Sequence, residues 1–233
     1  MEKDDQYWQA WEKLMEVSSN FQELFSDAVL VGGSAVSVHV QHRFSFDADH
    51  VLSELKDKYE EVLDFLEKRD DWKTARLHPP KLILGNFQGV ETGLRQLRRN
   101  CPLETETVNV RGRRLTVPTL PEMLRTKAWM IVNRNAARDY IDFAALAEKA
   151  GMAMTVSALE KFDDYYSDLI RKNEVSPLIQ LIRQLAEPNP CDLDDIDVSQ
   201  YKGLRPPLNS WAYLKHIFEN ISVELGDRLN NPV

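Results

Sequence analysis

Asp47 and Asp49 are the residues of this chain best placed to organise chemistry together. They sit two apart within Phe46 to Leu52, a stretch that reads as a β-strand, and side chains two apart on a strand project from one face. Two carboxylates converging on one spot repel unless protons or a cation lie between them. Mg²⁺ suits them, with Mn²⁺ as the other candidate: it is hard, prefers oxygen ligands, and keeps positions open for water and substrate phosphates. Upstream, the apolar strand Ala28 to Val31 stops at Gly32-Gly33-Ser34, and residues 35 to 46 separate that turn from Asp47. Glycines let a backbone come close to a polyphosphate, and amides at the start of a following helix offer it donors. Gly33 and Ser34 are therefore candidate phosphate contacts. Singly, a glycine pair after a strand is usually only a turn, and Asp-x-Asp is usually a solvated strand edge. The order strand, glycine turn, helix, strand joins them into one candidate site.

A second constellation lies in residues 118–146. Lys127, Arg134 and Arg138 are spaced by seven and then four residues, which on one continuous helix aligns them in a stripe. Asn133 or Asn135 is a potential break in that helix. Asp139 and Asp142, three apart, share a face in either case. Taken alone, this pattern reads as a surface ion-pair lattice.

Together the two constellations resemble the AbiEii/AbiGii family of nucleotidyltransferase toxins, within the DNA polymerase β-like superfamily. The resemblance rests on Gly33, Ser34, Asp47 and Asp49, then on Lys127, Arg134, Arg138, Asp139 and Asp142. Local phrases extend it: Gly32-Gly33-Ser34-Ala35, His42-Arg43-x-Ser45-x-Asp47, and Val117-Pro118-Thr119 leading into the second motif. It covers about residues 28–146, and the C-terminal third adds no motif.

The resemblance implies Mg²⁺-dependent transfer of a nucleoside monophosphate from an NTP to an acceptor. Asp47 and Asp49 become metal ligands and Gly33 and Ser34 phosphate contacts. Lys127 neutralises phosphate charge, and Arg134 and Arg138 do the same or bind the acceptor. Asp139 and Asp142 either orient these cations or take part directly. The superfamily also places a third metal-binding carboxylate on a neighbouring strand. Glu91 is the positional candidate, with Glu104 and Glu106 behind it. The implied acceptor is RNA, with a tRNA 3′ end foremost, and the implied role is that of a toxin with a cognate antitoxin protein. Two other classes stay open: transfer to a protein or a small molecule such as an antibiotic, and a catalytically degenerate nucleotide-binding regulatory module. The intact Asp-x-Asp and Lys127 count against degeneracy.

The elements that must position these residues follow from periodicity. Trp8, Trp11, Leu14, Met15 and Phe21 fall at helical spacings. Ser53 is a candidate N-cap for a helix running to about Lys68, with Leu55, Tyr59, Val62, Leu63 and Leu66 on one face. After Pro79-Pro80 the pattern turns to strands over Lys81–Gly85, Val90–Leu97, Glu104–Val110 and Arg113–Val117, the last two joined by a hairpin at Arg111-Gly112. From Pro121 the chain reads as helical, interrupted at Gly151, at Pro177 and over Pro188 to Pro207. The expected fold is α+β: a polymerase β-like nucleotidyltransferase domain with a mixed sheet over residues 1–120, then a mainly helical domain over 121–233.

Composition sets outer limits. With 43% hydrophobic and 28% charged residues, the chain has the make-up of a soluble globular protein. Its apolar runs, such as Ala28 to Val31, fall far short of the ~20 residues of a membrane helix. The start, Met1 to Asp5, is polar and acidic rather than signal-like, so a cytoplasmic location without membrane contact is expected. Cys101 and Cys191 match no metal or redox spacing and are expected to be free thiols. The net charge of −8 is unevenly spread: residues 81–140 hold 11 Lys or Arg against 5 Asp or Glu. That segment either holds phosphates or is neutralised by the acidic remainder of the chain, and charge alone weighs the two equally. His39, His42, His50, His78 and His216 show no metal spacing. The acidic run Asp192, Asp194, Asp195 and Asp197 reads as a solvated loop, and Trp129 and Tyr140 as core.

Overall fold

The structure, a computed structural model, describes residues 2–170 and 175–230. The side chains of residues 2–5 and 202 also fall outside it, so the polar start expected at Met1 to Asp5 lies outside the described side chains. Contacts divide the chain into two compact units. The first comprises Met1–Val38, Phe44–Arg98 and Pro102–Pro118, and the second His39–Arg43, Arg99–Cys101 and Thr119–Val233.

The first unit begins with α1 (Glu2–Leu24), β1 (Val29–Leu30), α2 (Gly32–Val40, ending in the second unit), β2 (Asp47–Leu52) and α3 (Tyr59–Glu67). Five strands follow: β3 (Trp72–His78), β4 (Leu82–Phe87), β5 (Val90–Gln96), β6 (Thr105–Val110) and β7 (Arg113–Pro118). The main sheet has the order β1-β2-β5-β4-β3; β2 and β5 run parallel and the other neighbours antiparallel. The mixed sheet is as expected. Trp11, Leu14, Met15 and Phe21 bury one stripe of α1. Phe21 meets Phe87 edge-on at 5.2 Å and lies 4.9 Å from the His50 ring, filling the inner side of the sheet.

The β6–β7 hairpin turns through Arg111 and Gly112, whose φ values of 52° and 84° are the left-handed pair of a type I′ turn. It is fastened to α1 by the Gln22 side chain, which donates to the Thr116 carbonyl and accepts from the Thr116 amide, each at 2.8 Å. The helix expected from Ser53 begins instead at Tyr59. Gln96 is the reason: its side chain accepts from the Lys56 amide and donates to the Ser53 carbonyl, both at 2.6 Å, satisfying the 53–58 turn without helical bonds.

The second unit, among its described residues, holds α4 (Leu120–Arg134), α5 (Ala137–Ala150), α6 (Met152–Leu159), α7 (Phe162–Tyr165), α8 (Pro177–Ala186) and α9 (Trp211–Asn230). Thr119 caps α4, and Asn135 ends it in the left-handed conformation, φ 50°. Gly151, φ 76°, ends α5. Asp192 is not a merely solvated loop residue, because its carboxylate accepts the Ala137 amide at 2.7 Å and so satisfies the exposed start of α5. Tyr140 is buried against Phe218, ring to ring at 5.4 Å. Arg99 brings a buried cation to this unit: it donates to Glu122 Oε1 at 2.5 Å and lies 5.0 Å over the Tyr166 ring. Both cysteines are free thiols. Among the described residues no helix is long and apolar enough to cross a membrane.

At Gly85 an added Cβ falls 2.3 Å from Trp72 Cζ2 and 2.7 Å from the Lys73 carbonyl oxygen. Gly85→Ala is expected to destabilise the protein by about 1–3 kcal/mol through overpacking. Urea unfolding checks this; an unchanged midpoint means that the indole moves aside at no cost.

Candidate active site

The alternation of β2 sorts its side chains. Ala48, His50 and Leu52 are buried on the inner face, while Asp47, Asp49 and Val51 face outward. Asp47 is exposed and Asp49 half-buried. The parallel register sets Asp47 beside Glu91, Asp49 beside Gly93, and Val51 beside Arg95. Glu91 thus shares the outward face, yet among the described residues no three His, Cys, Asp or Glu side chains gather into a metal centre.

Each carboxylate has a local partner. Ser45 donates to Asp47 Oδ1 at 2.9 Å. Arg95 reaches Asp49 Oδ1 with both Nε and Nη2 at 3.1 Å. Two glycines border Asp49: an added Cβ lies 3.7 Å from Oδ2 at Gly32, and 3.0 Å from Oδ1 at Gly93. Gly32 also has φ +73°, which a side chain tolerates poorly. This donor set fits a hard divalent cation in part. Two carboxylates on one face and cleared backbone around one of them supply oxygen ligands and room, leaving water and phosphate oxygens to complete the shell.

Ser34 does not face outward. Its side chain is fully buried, and its hydroxyl donates to the Asp47 carbonyl at 2.5 Å. It works as a strut between α2 and β2, so any contact of Ser34 with an anion comes from its backbone amide in the first turn of α2.

The second motif is built around Asp142. This fully buried carboxylate accepts from His42 Nε2 and Arg43 Nε at 2.7 Å on Oδ1, and from Arg43 Nη2 at 2.9 Å on Oδ2. Lys127 Nζ lies 2.8 Å from Asp142 Oδ2 and 3.3 Å from Asp139 Oδ1. Asp139 also takes Arg134, at 2.5 Å through Nε and 2.7 Å through Nη2. The arrangement is an ion-pair lattice but a buried one, because Lys127 is 4% exposed and both aspartates 0%. The three cations do not form one helical stripe. Asn135 breaks the helix, leaving Lys127 and Arg134 on α4 and Arg138 on α5. Arg138 is exposed and makes no ion pair among the described residues.

Burial raises the Asp142 carboxyl, but Arg43, Lys127 and the His42 hydrogen bond outweigh it and hold the group well below the usual carboxylate range. Burial pushes His42 down despite Asp142. His50, buried on the inner face of β2, is pushed down to about 4 by the same desolvation. Of the two residues expected in the core, Tyr140 is buried, whereas Trp129 is half-buried and stacks on Tyr166 at 4.3 Å. Arg95 and the partnership of His42 and Arg43 with Asp142 were not anticipated. The phrase His42-Arg43-x-Ser45-x-Asp47 held the signal for two of them.

The family model of the nucleotidyl transferase AbiEii toxin, from type IV toxin–antitoxin systems, matches residues 14–196. The chain belongs to the AbiEii family. That is the family its two motifs resemble, a family of nucleotidyltransferases. Among curated relatives, this AbiEii chain is 38% identical over 99 residues to the heme uptake protein MmpL11 of Mycobacterium tuberculosis, a match covering 42% of the chain and 10% of that protein. It is 34% identical over 135 residues to the mycolic acid-containing lipids exporter MmpL11 of Mycolicibacterium smegmatis, covering 54% of the chain and 14% of the exporter. The chain therefore spans only a small part of these relatives. Among solved structures, an antigenic nucleotidyltransferase-like protein from Paracoccidioides brasiliensis superposes with a TM-score of 0.46 at 18% identity, over 68% of this chain and 90% of that one. The antibiotic-resistance factor ANT(2'')-Ia does so with a TM-score of 0.48 at 11% identity, over 67% and 93%.

Removing the centre of the buried lattice strands its cations. Asp142→Ala is expected to cost about 3–5 kcal/mol, measured as a lower urea midpoint; a loss under about 1 kcal/mol would show that the lattice relaxes into solvent. A second expectation concerns pH. His42 and His50 bind protons less readily folded than unfolded, so below pH 6.5 the unfolded chain takes up protons that the native state refuses. Stability falls as pH drops from 6.5 toward about 4, with His50 accounting for roughly 3 kcal/mol. Asp142 keeps its contribution until pH falls below 3.8. Unfolding at stepped pH should show a shallower decline in His50→Gln than in the parent.

Proposed function

We propose that this chain moves a nucleoside monophosphate from an NTP to the 3′ end of an RNA, a tRNA foremost, and acts thereby as the toxin of a toxin–antitoxin or abortive-infection pair. Family membership supports the transfer. The observation that carries the site is the projection of Asp47 and Asp49 from one sheet face, with Gly32 and Gly93 clearing the backbone around Asp49.

In this reading residues 1–120 hold metal and nucleotide, and residues 121–233 supply the second motif. The carboxylates would hold Mg²⁺, whose chemistry there would be to neutralise phosphate charge, activate the attacking 3′ hydroxyl and steady the departing pyrophosphate. Asp47 and Asp49 supply the ligands, and Glu91, adjacent to Asp47 in register, is the candidate third. Ser45 fixes the Asp47 carboxylate, and Arg95 steadies Asp49. The first amides of α2, at Gly33 and Ser34, donate to phosphate oxygens. Arg138 presents an exposed guanidinium group to anionic substrate, while Arg134 shares its own between Asp139 and the substrate. Lys127 is positioned by Asp139 and Asp142, which act through it rather than on substrate. The site is assigned to a cytoplasmic protein whose activity a cognate antitoxin restrains.

The test is incubation with each labelled NTP, Mg²⁺ and total cellular RNA, beside Asp47→Ala. The parent should label tRNA, and Asp47→Ala should lose about 10²-fold or more of the rate. Label in protein or small molecules instead moves the acceptor, and transfer that survives Asp47→Ala sinks the assignment. Growth arrest on expression, relieved by Asp47→Ala, tests the toxin role separately.

A further inference from the structure

The outward face of the main sheet continues past the carboxylates, and the strand registers lay it out in rows. From β2 through β5 and β4 to β3, the rows are Asp47–Glu91–Asn86–Lys73, Asp49–Gly93–Leu84–Arg76 and Val51–Arg95–Leu82–His78. Paired residues share a face, so one column is acidic at β2 and one is basic at β3. The basic column depends on an irregularity. Lys73 and Arg76 are three apart and on a regular strand would point to opposite faces. The register shift between Thr74 and Arg76 adds a residue and turns both to the carboxylate side.

Lys73, Arg76 and His78 are exposed, and among the described residues neither Lys73 nor Arg76 makes an ion pair. Between the two columns lies an apolar patch of Leu82, Leu84 and Gly93, bordered by Asn86 and Glu91 at one end and by Arg95 at the other. Leu82 and Leu84 are half-buried, and Gly93 lies so close beneath that an added Cβ would fall 2.5 Å from the Leu84 side chain. Edge strands often carry Lys and bulges simply to discourage pairing. That need is met by a cation on either face, whereas here the bulge turns Arg76 toward the side that bears Asp47 and Asp49.

Strands lie about 4.8 Å apart, so three steps set the basic edge about 14 Å from the carboxylates. We propose that β3 is the binding site for the backbone phosphates of a single-stranded polynucleotide 3′ end. Its bases and sugars lie over Leu82, Leu84 and Gly93, and its terminal hydroxyl points toward Asp47 and Asp49. A cationic rim beside an apolar floor is the chemistry that holds single-stranded nucleic acid with little regard to sequence. A small-molecule acceptor has no use for cations that far from the metal ligands. This inference rests on the RNA-transfer reading and goes beyond it by naming the surface.

The experiment uses the full chain with Mg²⁺ and a fluorescein-labelled RNA hairpin carrying a three-nucleotide 3′ overhang, with a blunt hairpin as control. Binding is followed by anisotropy over a salt series for the parent, for Lys73→Glu/Arg76→Glu, and for the charge-keeping pair Lys73→Arg/Arg76→Lys. The parent should prefer the overhang. The Glu pair should bind about tenfold more weakly, with a salt slope shallower by about 1.4, the value for two lost single-strand phosphate contacts. The charge-keeping pair should bind like the parent, which separates lost charge from lost folding. Equal binding by parent and Glu pair, or no preference of the parent for the overhang, overturns the proposal. Label transfer measured alongside tells the two readings apart. A parent that labels RNA while the Glu pair binds normally removes this surface and leaves the RNA reading standing. A parent that binds the overhang through β3 but labels no RNA does the reverse.

Discussion

Strand β2 has two faces with incompatible demands, and the first unit is arranged around keeping them apart. Ala48, His50 and Leu52 lie in the core while Asp47 and Asp49 face outward. A slip of one residue in its pairing would bury both carboxylates and expose the apolar set. An unpaired buried carboxylate costs several kcal/mol, so the register has no near competitor. The parallel pairing with β5 fixes it from one side and the short β1 from the other. Phe21 from α1 fills the inner face, and Ser34 ties the start of α2 to the Asp47 carbonyl. On the outer face, Gly32 and Gly93 keep backbone close to Asp49 without filling the space beside it.

The second unit treats its aspartates in the opposite way. Asp139 and Asp142 are fully buried and saturated by Lys127, Arg134, Arg43 and His42. Their charge is already answered from within the chain. Asp47 and Asp49 sit at the surface with one hydroxyl and one half-exposed arginine as their named partners. Of the four aspartates in the two motifs, the first pair is thus suited to an ion from solution and the second to holding cationic side chains in place.

What could be read from sequence was whatever is decided locally. Period-two alternation in β2, the glycine stop before α2, the Arg111-Gly112 turn, the break at Asn135 and the end of α5 at Gly151 all depend on a few adjacent residues. Strand β3 was not legible, because its bulge destroys the alternation and only Trp72 is buried. The start of α3 was misplaced because Gln96, forty positions from Lys56, satisfies the preceding turn. Spacing put Asp139 and Asp142 on one helical face but said nothing of what covers it. The answer comes from His42 and Arg43, about a hundred positions away. Asp192, too, reads as a loop residue, because the helix start that needs its carboxylate lies 55 positions away at Ala137.

The helical unit is not a contiguous piece of sequence. Its buried acids, Glu122 and Asp142, receive Arg99, His42 and Arg43 from segments that lie ahead of Thr119 in the chain. A fragment starting at Thr119 would therefore lack the cations that make its own interior tolerable. The same dependence constrains descent. A gene fusion that grafted a different helical partner after Pro118 would bring along two orphaned arginines and a buried histidine, and it would survive only if the newcomer offered acids at matching depth. The two halves are bound to be inherited as one piece, by electrostatics rather than by any catalytic demand.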